Sequence, residues 1–163
     1  MVAVAVVLAV AGCSGGDAPD SALPSGSAPP LPATATQDTP AGAQSFARYY
    51  IEVLDYASHT GDVQSLRRLG NCETCLAQAD GIEKFFKSGG HVEGGEIRII
   101  NTESVRLLRG AALVNITYDQ ATGKSIARNG KTENSRALRS EIFALTLGWS
   151  KDSWNVQKMQ AVE

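Results

Sequence analysis

Within the 163 residues of this chain, Cys72-Glu73-Thr74-Cys75 has the spacing of a chemical motif. Two cysteines so placed suit three kinds of chemistry: a thioredoxin-type redox couple, half of a zinc site, or a structural disulfide. The redox couple belongs between a strand and a helix in a βαβ setting, and no strand is predicted ahead of Cys72. A zinc ion asks for four ligands, and His59 and His91 are the remaining soft candidates after it. A disulfide asks only for an oxidising compartment. The disulfide is the expected state, with redox and metal chemistry as the alternatives. The loop it closes is tiny, so its gain lies at the low end of the ~2–4 kcal/mol usual for such bonds. Its role is to fix the corner between two helices.

The other titratable groups are scattered. His59 and His91 fall beside glycines in turn regions, where solvated loop histidines are expected. A nucleophile must be held against its base, and no Gly-x-Ser-x-Gly pattern supplies one. Asp119 and Glu141 lie in strand regions and are weak candidates for a catalytic carboxylate. Asp119 shares a face with Asn115 and Thr117. Glu141 shares its parity with Phe143 and Leu145, which puts a carboxylate on an apolar face. The plainer reading of Glu141 is a strand-end position near solvent, paired with Arg136 or Arg139. No metal and no cofactor is expected.

Lys124, Arg128, Lys131, Arg136 and Arg139 make one loop basic. Near an anionic membrane or cell-wall polymer each charge is worth about 1 kcal/mol, although such a loop is more often simply solvated. The loop holds no aromatic residue, and the net charge of the chain is -2. Both facts argue against nucleic acid as a partner.

The third cysteine, Cys13, ends an apolar run. Val10-Ala11-Gly12-Cys13 resembles a bacterial lipobox, with small residues ahead of a cysteine that is lipidated and becomes the mature N-terminus. About ten apolar residues are too few to span a bilayer, which takes roughly 20, but they suit a signal peptide. The usual Lys or Arg at the start is missing, which reads as a start site placed too late or a trimmed sequence. Residues 1–12 are thus expected to be a signal peptide. Residues 13–38 follow as a lipidated N-terminus and a disordered Ser/Gly/Ala/Pro/Thr-rich linker, too poor in large apolar residues to offset its ordering entropy. The expected location is the extracytoplasmic face of a membrane. There Cys13 takes the lipid and leaves Cys72 and Cys75 to pair.

Residues 39–163 have the length of one domain. Thr39-Pro40 is a helix start, and Ala43, Phe46, Ala47, Tyr50, Leu54 and Ala57 recur on one helical face. Gly61 is placed to end that helix in the left-handed conformation. A short second helix carries Leu66 and Leu69. A third begins at the cysteines, carries Leu76, Ala79, Ile82, Phe85 and Phe86, and stops at Gly89-Gly90. The period then becomes two. Strands are predicted from Glu96 to Leu108 (irregular near Asn101), around Ala112–Asp119, from near Arg136 to Trp149, and over Trp154–Met159. A polar loop bending at Gly123 and Gly130 separates the second from the third. Three helices followed by an antiparallel meander is an α+β order.

The long helix ending His59-Thr60-Gly61-Asp62, the short helices around Cys72 and Cys75, Gly89-Gly90, Gly94-Gly95, Gly148-Trp149 and Trp154-Asn155-Val156 together resemble a known group. It is an uncharacterised, domain-of-unknown-function family of lipoproteins from high-GC Gram-positive bacteria, similar in layout to the nuclear-transport-factor-2-like, or cystatin-like, superfamily. The resemblance covers about Thr39 to Met159. It implies a long helix and two shorter ones packed on a curved four-stranded antiparallel sheet, leaving a cone-shaped pocket that Phe46, Tyr50, Phe143 and Trp149 are expected to line. The fold hosts enzymes and non-enzymes alike. Three functions are therefore carried forward. The first is binding of a small apolar ligand or an envelope protein. The second is a lyase or isomerase using a carboxylate such as Glu141 or Asp119, and the third is a structural role in envelope assembly.

Overall fold

The computed structural model describes residues 26–108 and 110–162, and for 105–108 the backbone alone. Cys13 and the expected signal peptide, residues 1–12, lie outside the described residues. Helix α1 (Pro40–Thr60) runs as its sequence predicts. The Thr39 hydroxyl accepts a hydrogen bond from the Gly42 N–H at 3.0 Å, with Pro40 at the first helical position. Such a cap is worth about 1 kcal/mol. Gly61 closes the helix with φ 76°, and its N–H bonds to the Ala57 carbonyl. Phe46, Ala47, Tyr50, Ile51, Val53, Leu54 and Ala57 are buried, so α1 is the central rod of the core.

Helix α2 (Gln64–Leu69) and helix α3 (Glu73–Lys87) follow. Cys72 and Cys75 form a disulfide at the start of α3, where the Cys72 sulfur also receives the Cys75 N–H. The bond sits at the corner between the two helices, as its spacing predicts. On the far side Arg67 of α2 grips Asp80 and Glu83 of α3 at 2.7 and 2.9 Å.

The chain then enters β1 (His91–Gly94), β2 (Ile97–Leu108), β3 (Ala111–Gln120), β4 (Gly123–Ile126), β5 (Thr132–Ser135), β6 (Leu138–Ser150) and β7 (Ser153–Val162). Four of them make an antiparallel sheet in the order β2-β3-β6-β7. Its register shifts between Ile99 and Asn101, where two apolar residues in succession break the alternation. Val114, Ile116, Leu145, Leu147 and Val156 face α1 with no exposed surface. Phe143, half-buried against the core, stacks on the buried Tyr118 with ring centroids 4.6 Å apart.

Three features correct the expected layout. The α+β order holds, but there are two sheets, because the polar loop after β3 is itself part of a three-stranded sheet, β1-β4-β5. Helices α2 and α3 are not laid on the face of the large sheet beside α1; they pack on α1, on each other and against the edge strand β7. Part of the stretch read as linker is structured. Residues Ala33–Thr36 form a short 3-10 helix, Ala35 is buried in the core, and the Trp154 indole N–H donates to the Gln37 carbonyl at 2.8 Å. Ala35 in the core and the indole bond to Gln37 hold a segment whose composition reads as solvent-exposed.

A candidate ligand cleft at the C-terminal end of helix α1

Where α1 ends, the molecule opens into a cleft of about 360 Å³. Helix α1 supplies Asp55, Ser58 and His59, and α3 supplies Ile82, Phe85 and Phe86. The outer wall is the small sheet, through Val92, Gly94, Gly123, Lys124, Ser125 and Ser135, with Ile97 and Gln120 at the junction of the two sheets. Ile82, Phe85, Phe86, Val92 and Ile97 make an apolar bed. The serines, Gln120 and the exposed Lys124 ring it with polar groups.

Asp55 and His59 are one helical turn apart, so their side chains meet on the cleft side of α1. The His59 Nδ1 lies 2.7 Å from the Asp55 carbonyl and 3.5 Å from its carboxylate Oδ1. The His59 Nε2 lies 3.0 Å from the Gly94 carbonyl. Oδ1 of Asp55 also accepts the Ile97 N–H at 3.2 Å. Two side chains of α1 thus grip both ends of the link between β1 and β2.

Burial pushes the Asp55 carboxyl up to about 6, against the pull of the neighbouring imidazole and the Ile97 N–H. For His59, burial opposes the charged form. The Asp55 carbonyl and carboxylate, the Gly94 carbonyl and the Glu96 carboxylate outweigh it and raise the pKa. Both groups shift toward holding a proton.

The link carries its own scaffold. Gly94 and Gly95 take φ of 63° and 88°, conformations that side chains disfavour. The Gly95 N–H donates to the Thr122 carbonyl, the Ala121 N–H to the Glu96 carbonyl, and the Gln120 side-chain amide to the Gly95 carbonyl. On the outer wall, the Ser135 hydroxyl and the Gly123 N–H join β5 to β4.

Asp119 sits elsewhere. It is buried at a bulge in the β3–β6 pairing, where it accepts from Arg98 at 2.9 Å, Arg139 at 3.0 Å and the Ser140 N–H at 3.1 Å. The Ser140 N–H and the two guanidinium groups hold its carboxyl down at about 2. Fixed and fully engaged, it is a clamp across β2, β3 and β6. Glu141 is exposed on β6, opposite Tyr118. His91 is exposed on β1, 3.7 Å from Glu93. Among the described residues no group of three or more His, Cys, Asp or Glu is arranged to hold a metal ion.

The expected lining residues are not in this cleft. Phe46 and Tyr50 belong to the core; Phe143 and Trp149 are half-buried against it, with Trp149 edge-on to Trp154. Asp55 and His59, which do line it, were readable as an i, i+4 pair at the end of an amphipathic helix. Reading His59 as part of the following turn hid that pairing.

The fold and cleft define the class: an α+β domain with a central helix whose far end forms one wall of a mixed polar and apolar cleft. The chain belongs to the family of unknown function DUF6318, whose profile matches residues 26–160. Among solved structures it is similar to the intermembrane space region of the chloroplast protein ARC6, with 13% identity over 76% of this chain and 96% of that one and a TM-score of 0.57. That likeness is one of fold. An uncharacterised protein with a cystatin-like fold from Caulobacter vibrioides shares 15% identity over 72% of this chain and 87% of that one, with a TM-score of 0.39. Comparison with curated proteins finds no significant match. No described helix is long and apolar enough to cross a membrane.

Proposed function

We propose that this chain is a cell-envelope lipoprotein, held on the extracytoplasmic face of the membrane through Cys13, whose domain binds a small, largely apolar ligand. The observation that carries the binding role is the cleft itself. Its volume of about 360 Å³ falls within the range of small-molecule sites. Phe85, Phe86, Ile82, Val92 and Ile97 offer an apolar body its contacts, and Lys124, Ser125 and Gln120 offer a polar head its hydrogen bonds. The anchor is supported by the apolar leader and the lipobox-like Val10-Ala11-Gly12-Cys13, since two acyl chains tether firmly where one does so marginally. The cystatin-like reading of the fold is supported by α1 lying against the β2-β3-β6-β7 sheet. The envelope setting also suits the disulfide.

Native mass spectrometry of the protein purified from its own membranes tests the binding role. A bound small molecule, lost when Phe85 is changed to Asp, is the expected result; an empty cleft in wild type argues against it. Cys13→Ala is expected to move the protein from the membrane to the soluble fraction, and a variant that stays membrane-bound overturns the anchor.

A second reading, proton transfer by a lyase or isomerase, draws its support from Asp55 rather than Glu141. Asp55 is the cleft carboxyl, and its proton affinity lies near neutrality, where a general base works best. Incubating the bound molecule in D₂O distinguishes the two. A proton-transfer enzyme incorporates deuterium at carbon with wild type and not with Asp55→Asn, whereas a binding protein incorporates none with either.

A further inference from the structure

The contacts of His59 are more than one neutral imidazole can make. A neutral ring carries a single N–H, on Nδ1 or on Nε2. Here both nitrogens face carbonyl oxygens, Asp55 at 2.7 Å and Gly94 at 3.0 Å, and a carbonyl can only accept. The two hydrogen bonds coexist only in the imidazolium. One of them is local to α1; the other joins α1 to the link between the two sheets.

We infer that His59 is a proton-operated latch on the cleft, whose imidazolium ties α1 to the Gly94–Gly95 link and whose deprotonation releases the small sheet that forms the outer wall. The ring that remains after proton loss keeps its hydrogen on Nδ1, where the Asp55 carbonyl and carboxylate both stand. The bond to Gly94 is the one that goes. Gly94 and Gly95, both at positive φ, then form the hinge about which β1 and its partners β4 and β5 move.

The charges around the ring agree with this assignment. Asp55 on α1 and Glu96 on the link are the acids that act on His59, and both favour its charged form. Lys124 on β4 is the cation that shares the cleft. The raised proton affinity of His59 has the sign that a charged, latched ring requires. Calling this regulation rests on the cleft being a ligand site; the latch itself does not.

The test uses the ligand-free protein and therefore separates the two. Nitrogen-15 NMR of the His59 ring across pH 5 to 9 reports whether both nitrogens carry protons and which one loses its proton first. Amide hydrogen exchange of Gly95 and Ile97, corrected for its intrinsic pH dependence, reports the link. The expected result is a doubly protonated ring below a midpoint above ~6.5. The Nδ1–H form should appear above it, with protection of the two amides falling about fivefold, the worth of one hydrogen bond. His59→Gln, which keeps one donor and cannot titrate, should remove the pH step in protection. A neutral single tautomer below pH 6, or protection that ignores the titration, overturns the latch. If the latch titrates as described and native mass spectrometry finds no ligand, the binding reading fails and the latch stands.

Discussion

Gly61 and Phe86 meet where helix α1 ends, and no side chain fits between them. A Cβ on Gly61 would stand 2.5 Å from the Phe86 ring carbon Cγ, and the backbone there has φ 76°. The contact seats α3 on the end of α1 and so sets the width of the cleft. Gly61→Ala therefore combines a disfavoured backbone with overpacking, and is expected to cost about 1–3 kcal/mol in urea unfolding. Phe86→Ala in the same chain relieves the clash, so the double variant should lose less than the sum of the singles. Strict additivity would show that the two residues do not meet as described.

The Asp119 clamp predicts a limb in acid. Its pKa in the folded state is lowered from 3.8 to about 2, so the stability it contributes is present above 3.8 and is lost as pH falls toward 2. Asp119→Asn cannot pair with Arg98 and Arg139 as an anion. It should be less stable than wild type at neutral pH and lose less stability than wild type between pH 4 and 2. Parallel acid limbs in denaturation curves would refute the clamp.

Asp55 has the opposite sign. Its folded pKa is raised from 3.8 to about 6, so the native state holds the proton more tightly than the unfolded chain. That contribution is full below 3.8 and disappears as pH rises through 6, an effect on the order of 2 kcal/mol. His59, also raised, adds a loss of the same sign at higher pH. The stability of wild type relative to Asp55→Asn is thus expected to fall as pH rises from about 4 to 7. A difference that is flat or rises over that interval contradicts the burial of this carboxyl.

Trp154 is the far anchor. Trp154→Phe removes the indole N–H that serves the Gln37 carbonyl and leaves a smaller ring in the core. The expected loss is about 1–3 kcal/mol. Hydrogen exchange should accelerate at residues 33–37 while the Ile97 amide is unchanged. Equal acceleration at both places would mean that the segment is not held locally by Trp154.

Much of this fold was legible because its signals are strong and local. Thr39-Pro40, Gly61 and the apolar stripe between them define α1 without further help, and the doublet Ile99-Ile100 marks the bulge in β2. The small sheet was not legible. Residues Thr132–Ser135 are all exposed, and Gly123–Ile126 hold one apolar side chain, so no period-two burial exists to read. These strands form because β4 pairs with β1 and β5 with β4, and the first of those pairings is a long-range fact. The cleft followed the same division. The Asp55–His59 spacing was present in the sequence, but the partner that gives it meaning, the Gly94 carbonyl, lies 35 residues away and has no side chain to announce it.

The two anchorages on α1 lie at opposite ends of a helix of 21 residues, about 30 Å long. Ala35, Gln37 and Trp154 fasten the N-terminal side, and the cleft occupies the other. Tension reaching the domain through the residues before Ala33 is borne first by Trp154 and the sheet edge, with the whole rod of α1 between that load and Asp55. The cleft is mechanically insulated from a load applied at the N-terminal side of α1.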